Sequence, residues 1–592
     1  MHPLLKYPFD AQTVLKKRRS IKKELLADGK PRLKKKIAML GGSTTHDIKE
    51  ITELFLLNYG IEAVFYESEF GQWWQDAMFL PDELKIFDPD IVFIHTSSRN
   101  ITLFPAPSSS SDETEALLDS EYSRFEAAWE SLRKNTNAVI IQNNFEAPYY
   151  RLLGNLDFSD NRGRTNFINR LNMRFAQYAE NTSGFFINDI NYLAADYGIR
   201  KWADPLFWHM YKYCMSMDAI PEFAFNLASI IKAIYGKNKK ALALDLDNTL
   251  WGGVVGDDGV EGIEIGHETS MGQVFSEFQA YIKELSSIGI TLNVNSKNDH
   301  ENALAGLNHP EGTLKPDDFI IIKANWNSKD RNIAEIASEL NIGSDSIVFV
   351  DDNPAERAMV NASLPEVDAP DMLSPENYIG IIDRSRFFEV TELSGDDLKR
   401  NDMYRSNVKR AAEQNSFADY GEYLSSLSMN AVIRDFEPVY IPRIAQLTNK
   451  SNQFNLTTWR ISESEMEEIA KSESYIRLYG KLSDKYGDNG VVTVVIGEKD
   501  GDSLHIRLWL MSCRVLKRDM ELAMLDSLVA EAASAGIKYL KGYYYKTAKN
   551  SMVKDFYSSL GFEKISESED SGEWRLNIES YQNKNKYIKV EN

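Results

Sequence analysis

Four short apolar segments in the middle of the chain constrain its fold more than any other feature. They cover residues 241–244, 290–294, 319–322 and 347–350, with helical stretches such as 273–288 and 331–340 between them. Strands separated by helices predict a parallel sheet covered by helices. The same alternation at 36–40, 61–66, 91–95 and 138–141 predicts an α/β region before it. Helices at 441–448 and 520–534, with strands at 491–496 and 504–509, predict a third region.

Polar residues follow the middle strands at the points where those strands end. Asp245 and Asp247 come directly after the first strand, and Asp351 and Asp352 follow the last. The carboxyl ends of parallel strands are where α/β sheets bind ligands. We therefore expect these carboxylates to meet at one edge of the sheet.

Two carboxylates one residue apart suit phosphoryl chemistry. Asp245 can attack phosphorus as a nucleophile, and Asp247 can protonate the leaving oxygen. Because paired anions repel an anionic substrate, the site needs a divalent cation, and oxygen-only ligands point to Mg²⁺.

The later strands supply the remaining groups. Ser296 offers a hydroxyl to a phosphoryl oxygen, Lys329 can reach the developing charge, and Asp351 with Asp352 can complete the metal shell. Each residue alone reads as an ordinary helix cap or surface group. All of them in this order predict a phosphoryl-handling site.

These motifs resemble the four motifs of the haloacid dehalogenase (HAD) superfamily. More narrowly, the sequences at 245–259, 296–299 and 350–357 resemble the FkbH-like family, over nearly the whole chain. The resemblance implies a multidomain α/β protein with a Rossmann-like HAD core. We expect an SGNH-hydrolase-like domain at 1–236, the HAD-like domain at 237–395, and a GNAT acyltransferase-like domain at 396–592.

The resemblance also implies roles for the site residues. Asp245 would be the nucleophile and Asp247 the general acid and base, with Ser296 and Lys329 gripping the phosphoryl group. Asp245, the Asp247 carbonyl and Asp351, with Asp352 beside it, would hold Mg²⁺. The Gly-rich segment 252–265 is too short for a folded cap and predicts an uncapped site.

FkbH-like proteins take a glyceryl unit from 1,3-bisphosphoglycerate, remove its phosphate and load the glyceryl group onto the phosphopantetheine thiol of an acyl carrier protein. Many members have a cysteine where this chain has Asn295. An amide forms no thioester, so transfer is direct, uses Cys513, or does not occur. A simple phosphatase on a small phosphorylated metabolite, or a carrier-docking scaffold, are the alternatives.

The terminal regions carry weaker motifs. Arg514, Lys517 and Arg518 stand where GNAT domains bind the coenzyme A pyrophosphate, but Lys517 replaces a glycine. They would read the phosphate of phosphopantetheine or coenzyme A, whose thiol would be the acceptor; a structural or docking domain is the favoured alternative. Ser43, with Asp204 and His209, resembles an SGNH set, although Ser43 also suits a helix cap.

Charge and composition exclude several classes of protein. The net charge of −21 disfavours a nucleic-acid binder or an anionic-membrane binder, since both need a basic face. The two cysteines, Cys214 and Cys513, allow no disulfide framework. No apolar run is long enough to span a membrane, and residues 1–6 lack a signal-peptide core. We expect a cytoplasmic protein.

Overall fold

The computed structural model describes residues 1–414, 416–547 and 549–591. These divide into two compact units, the first comprising residues 1–234 with 462–465 and the second comprising 235–461 with 466–592. Among the described residues, no helix has the length and apolarity needed to cross a membrane.

The first unit is built on a parallel five-stranded sheet in the order β2-β1-β3-β4-β5. Its strands are β1 (Leu33–Gly41), β2 (Ile61–Glu67), β3 (Ile91–His95), β4 (Val139–Asn143) and β5 (Phe185–Asn188). Its helices are α1 (Ala11–Ala27), α2 (His46–Asn58), α3 (Trp73–Phe79), α4 (Asp82–Phe87), α5 (Ser111–Asn135), α6 (Leu156–Ser159), α7 (Arg164–Glu180), α8 (Ile190–Tyr197), α9 (Ile199–Trp202), α10 (Pro205–Tyr211) and α11 (Ile220–Ile234).

The second unit begins with a parallel four-stranded sheet in the order β8-β7-β6-β9. Its strands are β6 (Ala241–Leu244), β7 (Thr291–Ser296), β8 (Ile321–Ala324) and β9 (Ile347–Val350). Its helices are α12 (Val255–Asp258), α13 (Ser270–Ser287), α14 (His300–Leu307), α15 (Lys329–Leu340), α16 (Pro354–Ser363) and α17 (Tyr378–Arg384).

The neighbouring strands β6 and β9 of this sheet are apolar on both faces, as expected for strands between two helix layers. Leu242, Leu244 and Val350 pack into the core on one face, whereas Ala243 and Phe349 pack into the core on the other. The strand β6 is therefore held rigidly in the centre of the sheet, and it fixes the direction in which the chain leaves at Asp245.

The rest of the second unit contains an eight-stranded mixed sheet in the order β15-β16-β14-β13-β12-β11-β10-β17. The strands are β10 (Met429–Arg434), β11 (Tyr475–Asp484), β12 (Gly487–Asp500), β13 (Ser503–Met511), β14 (Tyr539–Tyr545), β15 (Glu563–Glu567), β16 (Ser571–Asn577) and β17 (Ile588–Glu591). The helices are α18 (Gly395–Leu398), α19 (Arg400–Gln414), α20 (Tyr420–Ser426), α21 (Ile441–Lys450), α22 (Glu463–Lys471), α23 (Met520–Ser534) and α24 (Phe556–Ser559).

The strands β13 and β14 pair in parallel only from Ser503 to Ile506. Beyond that point the segment around Leu456 lies between them. The Leu456 N–H donates to the Trp509 carbonyl at 3.1 Å, and the Leu456 carbonyl accepts from the Tyr545 N–H at 2.9 Å. A peptide segment of the protein thus satisfies the backbone groups that the divergence exposes.

The predicted fold class, a multidomain α/β protein with a Rossmann-like core, is confirmed. The two units do not separate the predicted middle and C-terminal domains, although each of those regions has its own sheet.

Candidate active site

The residues predicted to carry chemistry meet at the carboxyl edge of the four-stranded sheet. Asp245 follows β6, Ser296 ends β7, Lys329 begins α15 after β8, and Asp351 follows β9. The Asp245 N–H donates to the Val350 carbonyl at 2.9 Å, which extends the pairing of β6 and β9 by one step. Adjacent parallel strands therefore deliver the two carboxylates side by side.

A buried lysine joins these two carboxylates. The Lys329 Nζ lies 2.8 Å from Asp245 Oδ2 and 2.7 Å from Asp351 Oδ2, and its side chain is 2% exposed. Burial lowers the pKa of Lys329, but Asp245 and Asp351 outweigh that effect and raise it. The ammonium therefore stays charged and fixes both carboxylates.

The other oxygen of Asp245 is unsatisfied. Asp245 Oδ1 is buried and has no hydrogen-bond partner among the described residues. Carboxylate oxygens of Asp245, Asp351 and Asp352 all lie within 4.8 Å of one another. An all-oxygen set with an orphaned buried oxygen fits a hard divalent cation.

The carboxylates also repel one another. Burial, together with the charge of Asp245, raises the pKa of Asp351 to about 6, although Lys329 opposes the shift. The pKa of Asp352 is raised by burial and by Asp245 in the same way. One lysine does not neutralise three clustered carboxylates, so the arrangement favours a bound cation.

Asp247 points in a different direction. Its Oδ1 accepts from the Trp251 Nε1–H and the Val255 N–H, each at 3.0 Å, and its Oδ2 accepts from the Asn298 Nδ2–H at 2.9 Å. Burial raises the pKa of Asp247 despite these bonds. The carboxyl of Asp247 is thus outside the carboxylate cluster of the candidate metal site and is suited to hold a proton.

The segment predicted to be a short flap is a hairpin with one helical turn, α12. Gly252 and Glu264 exchange backbone hydrogen bonds of 3.0 and 2.8 Å across its base. Gly253 has φ +90°, which lets its N–H reach Asn248 Oδ1 at 3.0 Å. The flap is therefore braced from the site loop and adds no folded cap.

Ser296 and Asn295 are neighbours at the end of β7, but their side chains have different surroundings. Ser296 is 1% exposed at the carboxyl edge. The Asn295 amide donates to the Lys329 carbonyl at 3.0 Å and accepts from the Asn332 amide at 3.1 Å. Asn295 thus anchors the first turn of α15, which carries Lys329, and is not a group at the carboxylate cluster.

Several supporting residues were not predicted to have a role. Arg357 donates to the carbonyls of Asp351 and Asp352 at 2.7 Å each, which holds the last loop in place. Asn298 holds the Asp247 carboxyl. Both residues lie in the segments 296–299 and 350–357, so the family resemblance of those segments could have indicated their roles. The indole of Trp326 is 71% exposed in the loop before Lys329.

The predicted cofactor residues of the C-terminal region do not converge. The Arg518 guanidinium is buried, lies 3.1 Å from Asp484 and donates to the Arg514 carbonyl at 2.8 Å. Lys517 is exposed, whereas Arg514 faces Asp396 at 3.8 Å. Binding of phosphopantetheine or coenzyme A by these residues stays a prediction.

The SGNH-like set is also not assembled. The Asp204 carboxylate accepts from the Leu206 and Phe207 N–H groups at 2.9 and 3.1 Å, so it caps its own helix. His209 is exposed, and the buried Ser43 Oγ has no hydrogen-bond partner among the described residues. Hydrolysis by this unit stays a prediction.

Comparisons with known proteins place these features in context. Residues 36–232 match the family model described as FkbH, N-terminal domain. The chain is 31% identical to the N-terminal part of the protein BF1531 from Bacteroides fragilis, which contains a phosphatase domain and was crystallised with Mg; the match covers 64% of this chain and 99% of that one, with a TM-score of 0.59. A search of curated proteins found no match.

Acetyltransferase structures match about a quarter of the chain. The ribosomal-protein-S18-alanine N-acetyltransferase from Escherichia coli is 17% identical and covers 26% of this chain and 99% of its own, with a TM-score of 0.21. A GNAT-family acetyltransferase from Streptococcus pneumoniae is 16% identical over 25% of this chain and 99% of its own, also with a TM-score of 0.21. Scores this low carry no inference about activity.

Proposed function

Because the chain belongs to the FkbH-like family of HAD-type proteins, we propose that it is a Mg²⁺-dependent phosphatase that also loads an acyl carrier protein. The substrate is an activated three-carbon phosphate of the 1,3-bisphosphoglycerate type. The acyl group passes to the phosphopantetheine thiol of the carrier. The reaction takes place in the cytoplasm.

The geometry of Asp245 carries the phosphatase part of this proposal. Lys329 binds one oxygen of the carboxylate, whereas the buried Oδ1 has no partner within the described part of the chain, and Asp245 clusters with Asp351 and Asp352. A carboxylate held in this way is oriented and is not consumed by internal hydrogen bonds. The Mg-bound relative contains a phosphatase domain, which agrees with the metal that the oxygen ligands favour.

The residues then divide the chemistry of phosphate-ester hydrolysis. Asp245, Asp351 and Asp352, together with the Asp247 carbonyl, would hold Mg²⁺, which would supply positive charge that favours binding of the phosphoryl oxygens. Asp245 forms a bond to phosphorus while the bond from phosphorus to the leaving oxygen breaks. Asp247 gives its proton to that oxygen and then accepts one from the water that hydrolyses the aspartyl phosphate. Lys329 and Ser296 bind the phosphoryl oxygens.

The acyl transfer that we propose is direct. Asn295 lies in the strand with its amide bound to Lys329 and Asn332, so it supplies no thiol. The carrier thiolate would bond to the carbonyl carbon while the bond between that carbon and the phosphate oxygen breaks and releases inorganic phosphate. Asp245 would remove the other phosphate of the substrate, which is an ester, so that a glyceryl group remains on the carrier. The short flap leaves the carboxyl edge without a folded cap, which suits a substrate on a long flexible arm.

A simple phosphatase acting on a small phosphorylated metabolite is the second candidate. The observation that favours it is the same Asn295 amide, which replaces a potential acyl acceptor with a structural anchor. The two candidates differ in whether product appears on a carrier thiol.

Intact mass spectrometry separates them. A pantetheinylated carrier from the same source is incubated with this protein, Mg²⁺ and 1,3-bisphosphoglycerate, with Asp245→Asn as the control. A glyceryl-sized mass gain that disappears in the variant supports loading. Asp245-dependent phosphate release without a mass gain supports the simple phosphatase, and full activity in the variant refutes both candidates at this site.

A further inference from the structure

A cavity of about 120 Å³ lies within the unit that contains the four-stranded sheet. Its walls come from the amino end of that sheet, at Lys240 and Ser346, from α21, and from the chain after β13 at Cys513 and Arg514. The catalytic carboxylates lie at the other end of the sheet. The distance from Lys240 to Asp245 along β6 is about 16 Å, since a strand rises by about 3.3 Å per residue.

The cavity is strongly basic. Among the described residues, seven cationic side chains line it, and three carboxylates, Asp345, Asp396 and Asp397, lie against them. The cations are Lys237, Lys240, Arg400, Arg443, Lys450, Arg514 and Lys549. The cationic side chains at this partly open cavity therefore outnumber these carboxylates by four, an excess that favours a bound anion.

The carboxylates are already used by some of these cations. Asp397 pairs with Arg400 and, at 3.4 Å, with Lys450. Asp345 pairs with Lys549, and Asp396 lies 2.9 Å from Arg443. Asp345 also acts electrostatically on Lys237 and Lys240, although among the described residues it forms its ion pair with Lys549.

Two lysines have no such partner. Within residues 1–414, 416–547 and 549–591, no acceptor lies within hydrogen-bond distance of the ammonium of Lys237 or Lys240. Burial, together with Lys549 and Arg460, lowers the pKa of Lys237 to about 8. Burial also lowers the pKa of Lys240, and Arg400 and Lys549 add to that effect. Both groups gain from an anion placed between them.

We propose that this cavity binds a phosphoryl group as a dianion, at a site distinct from the catalytic carboxylates. The cavity, of about 120 Å³, has room for a tetrahedral oxyanion. Guanidinium groups such as Arg443 and Arg514 present paired N–H donors that match phosphate oxygens. The group is either free inorganic phosphate or the phosphate end of a larger ligand such as phosphopantetheine.

Cys513 can report on ligand binding in this cavity, because the chain has only one other cysteine. Cys513 lines the cavity and is partly exposed, whereas Cys214 is buried. Alkylation of the native protein by neutral chloroacetamide is followed by intact mass in EDTA, so that no metal recruits phosphate to the catalytic site. Saturating phosphate is expected to slow the labelling of Cys513 at least fivefold.

The paired variant Lys237→Gln with Lys240→Gln tests the assignment without leaving a carboxylate unpaired. Removing two half-buried positive charges that lie among other cations is expected to raise Tm in phosphate-free buffer. It is also expected to weaken phosphate protection at least tenfold, because each lysine supplies a charged hydrogen bond. The matched control is Lys471→Gln, whose side chain is 77% exposed on α22.

The outcomes decide the proposal and the source of the ligand. Protection by inorganic phosphate alone assigns a free-phosphate site, and protection by both phosphate and phosphopantetheine assigns a site for the phosphate end of a larger ligand. No protection by either, or equal protection in the paired variant and in wild type, overturns the proposal. Neither result depends on the catalytic function, since the assay contains no Mg²⁺ and no substrate.

Discussion

Replacing Lys329 by methionine should reveal the repulsion between Asp245 and Asp351 that the lysine offsets. The lysine is 2% exposed and contacts Asp245 and Asp351, whose side chains are 13% and 0% exposed. Methionine is of similar length but leaves both carboxylates facing each other without a cation. Breaking a buried pair in this way costs about 3–5 kcal/mol.

The assay is thermal unfolding in EDTA and in saturating Mg²⁺. A loss of 3–5 kcal/mol should lower the Tm of the unit that carries the site by about 5–10 °C in EDTA. Mg²⁺ should raise the Tm of the variant by more than it raises the Tm of wild type, because the cation replaces the missing positive charge. Hydrolysis of p-nitrophenyl phosphate should stay at least a hundredfold lower, since Lys329 also binds the phosphoryl group.

Lys323 provides a matched control. It also bridges two carboxylates, at 3.1 Å from Glu335 and 2.6 Å from Glu339, but these partners are 36% and 44% exposed. Lys323→Met should therefore cost less than about 1 kcal/mol. Equal loss of stability in the two variants, or no greater effect of Mg²⁺ on Lys329→Met, would refute the reasoning.

Three further predictions concern the site. Asp247→Asn should lower kcat/KM about 10²–10⁴-fold on an alkyl phosphate but much less on acetyl phosphate, as followed by phosphate release, because kcat/KM reports formation of the aspartyl phosphate and the carboxylate of acetyl phosphate leaves without a proton. Because the folded pKa of Asp351 is raised to about 6, protons compete with the metal below that pH; calorimetry should show Mg²⁺ affinity about tenfold weaker at pH 5 than at pH 7. Trp326→Ala removes an indole that is 71% exposed at the rim; it should raise KM for the pantetheinylated carrier roughly tenfold and leave p-nitrophenyl phosphate hydrolysis unchanged.

Each prediction has an outcome that contradicts it. Equal losses on both substrates would remove Asp247 as the proton donor. An Mg²⁺ affinity that is constant from pH 5 to pH 7 would mean that Asp351 is not a ligand. A fall in both activities of Trp326→Ala would show a structural role for the indole and no carrier contact.

The strand positions of the active-site sheet followed directly from the sequence. Residues 241–244 and 347–350 are strands as predicted, because a run that is apolar at every position fits only a strand covered on both faces. The carboxyl-edge rule then placed Asp245 beside Asp351 without any knowledge of tertiary contacts. Helix 520–534 was also predicted at its observed bounds, Met520–Ser534.

Strands with one exposed face were harder to predict. The strand β16 alternates buried Gly572, Trp574 and Leu576 with polar residues, and a single tryptophan gives a weak signal. The strand β11 mixes Arg477 and Lys481 with its apolar residues for the same reason. Predicting such strands requires knowing which neighbour covers them, and the sequence alone does not state that.

The direction of individual side chains depended on tertiary contacts. Asp247 was predicted to offer the metal its backbone carbonyl, and the sequence did not show that its carboxyl group would be bound to Trp251, Val255 and Asn298. That leaves its backbone carbonyl as the group suited to the metal, as the family resemblance implies. The basic cavity was unpredictable for a related reason, because its cations come from segments as distant as Lys237 and Lys549.

Phosphate release is the most direct test of the central claim, that Asp245 is the nucleophile of a Mg²⁺-dependent phosphatase. Wild type and Asp245→Asn are assayed on acetyl phosphate and p-nitrophenyl phosphate, with Mg²⁺ and with EDTA. We predict turnover by wild type with Mg²⁺, loss of that turnover in EDTA, and at least a 10³-fold lower rate in the variant. Phosphate release by Asp245→Asn at the wild-type rate would contradict the account.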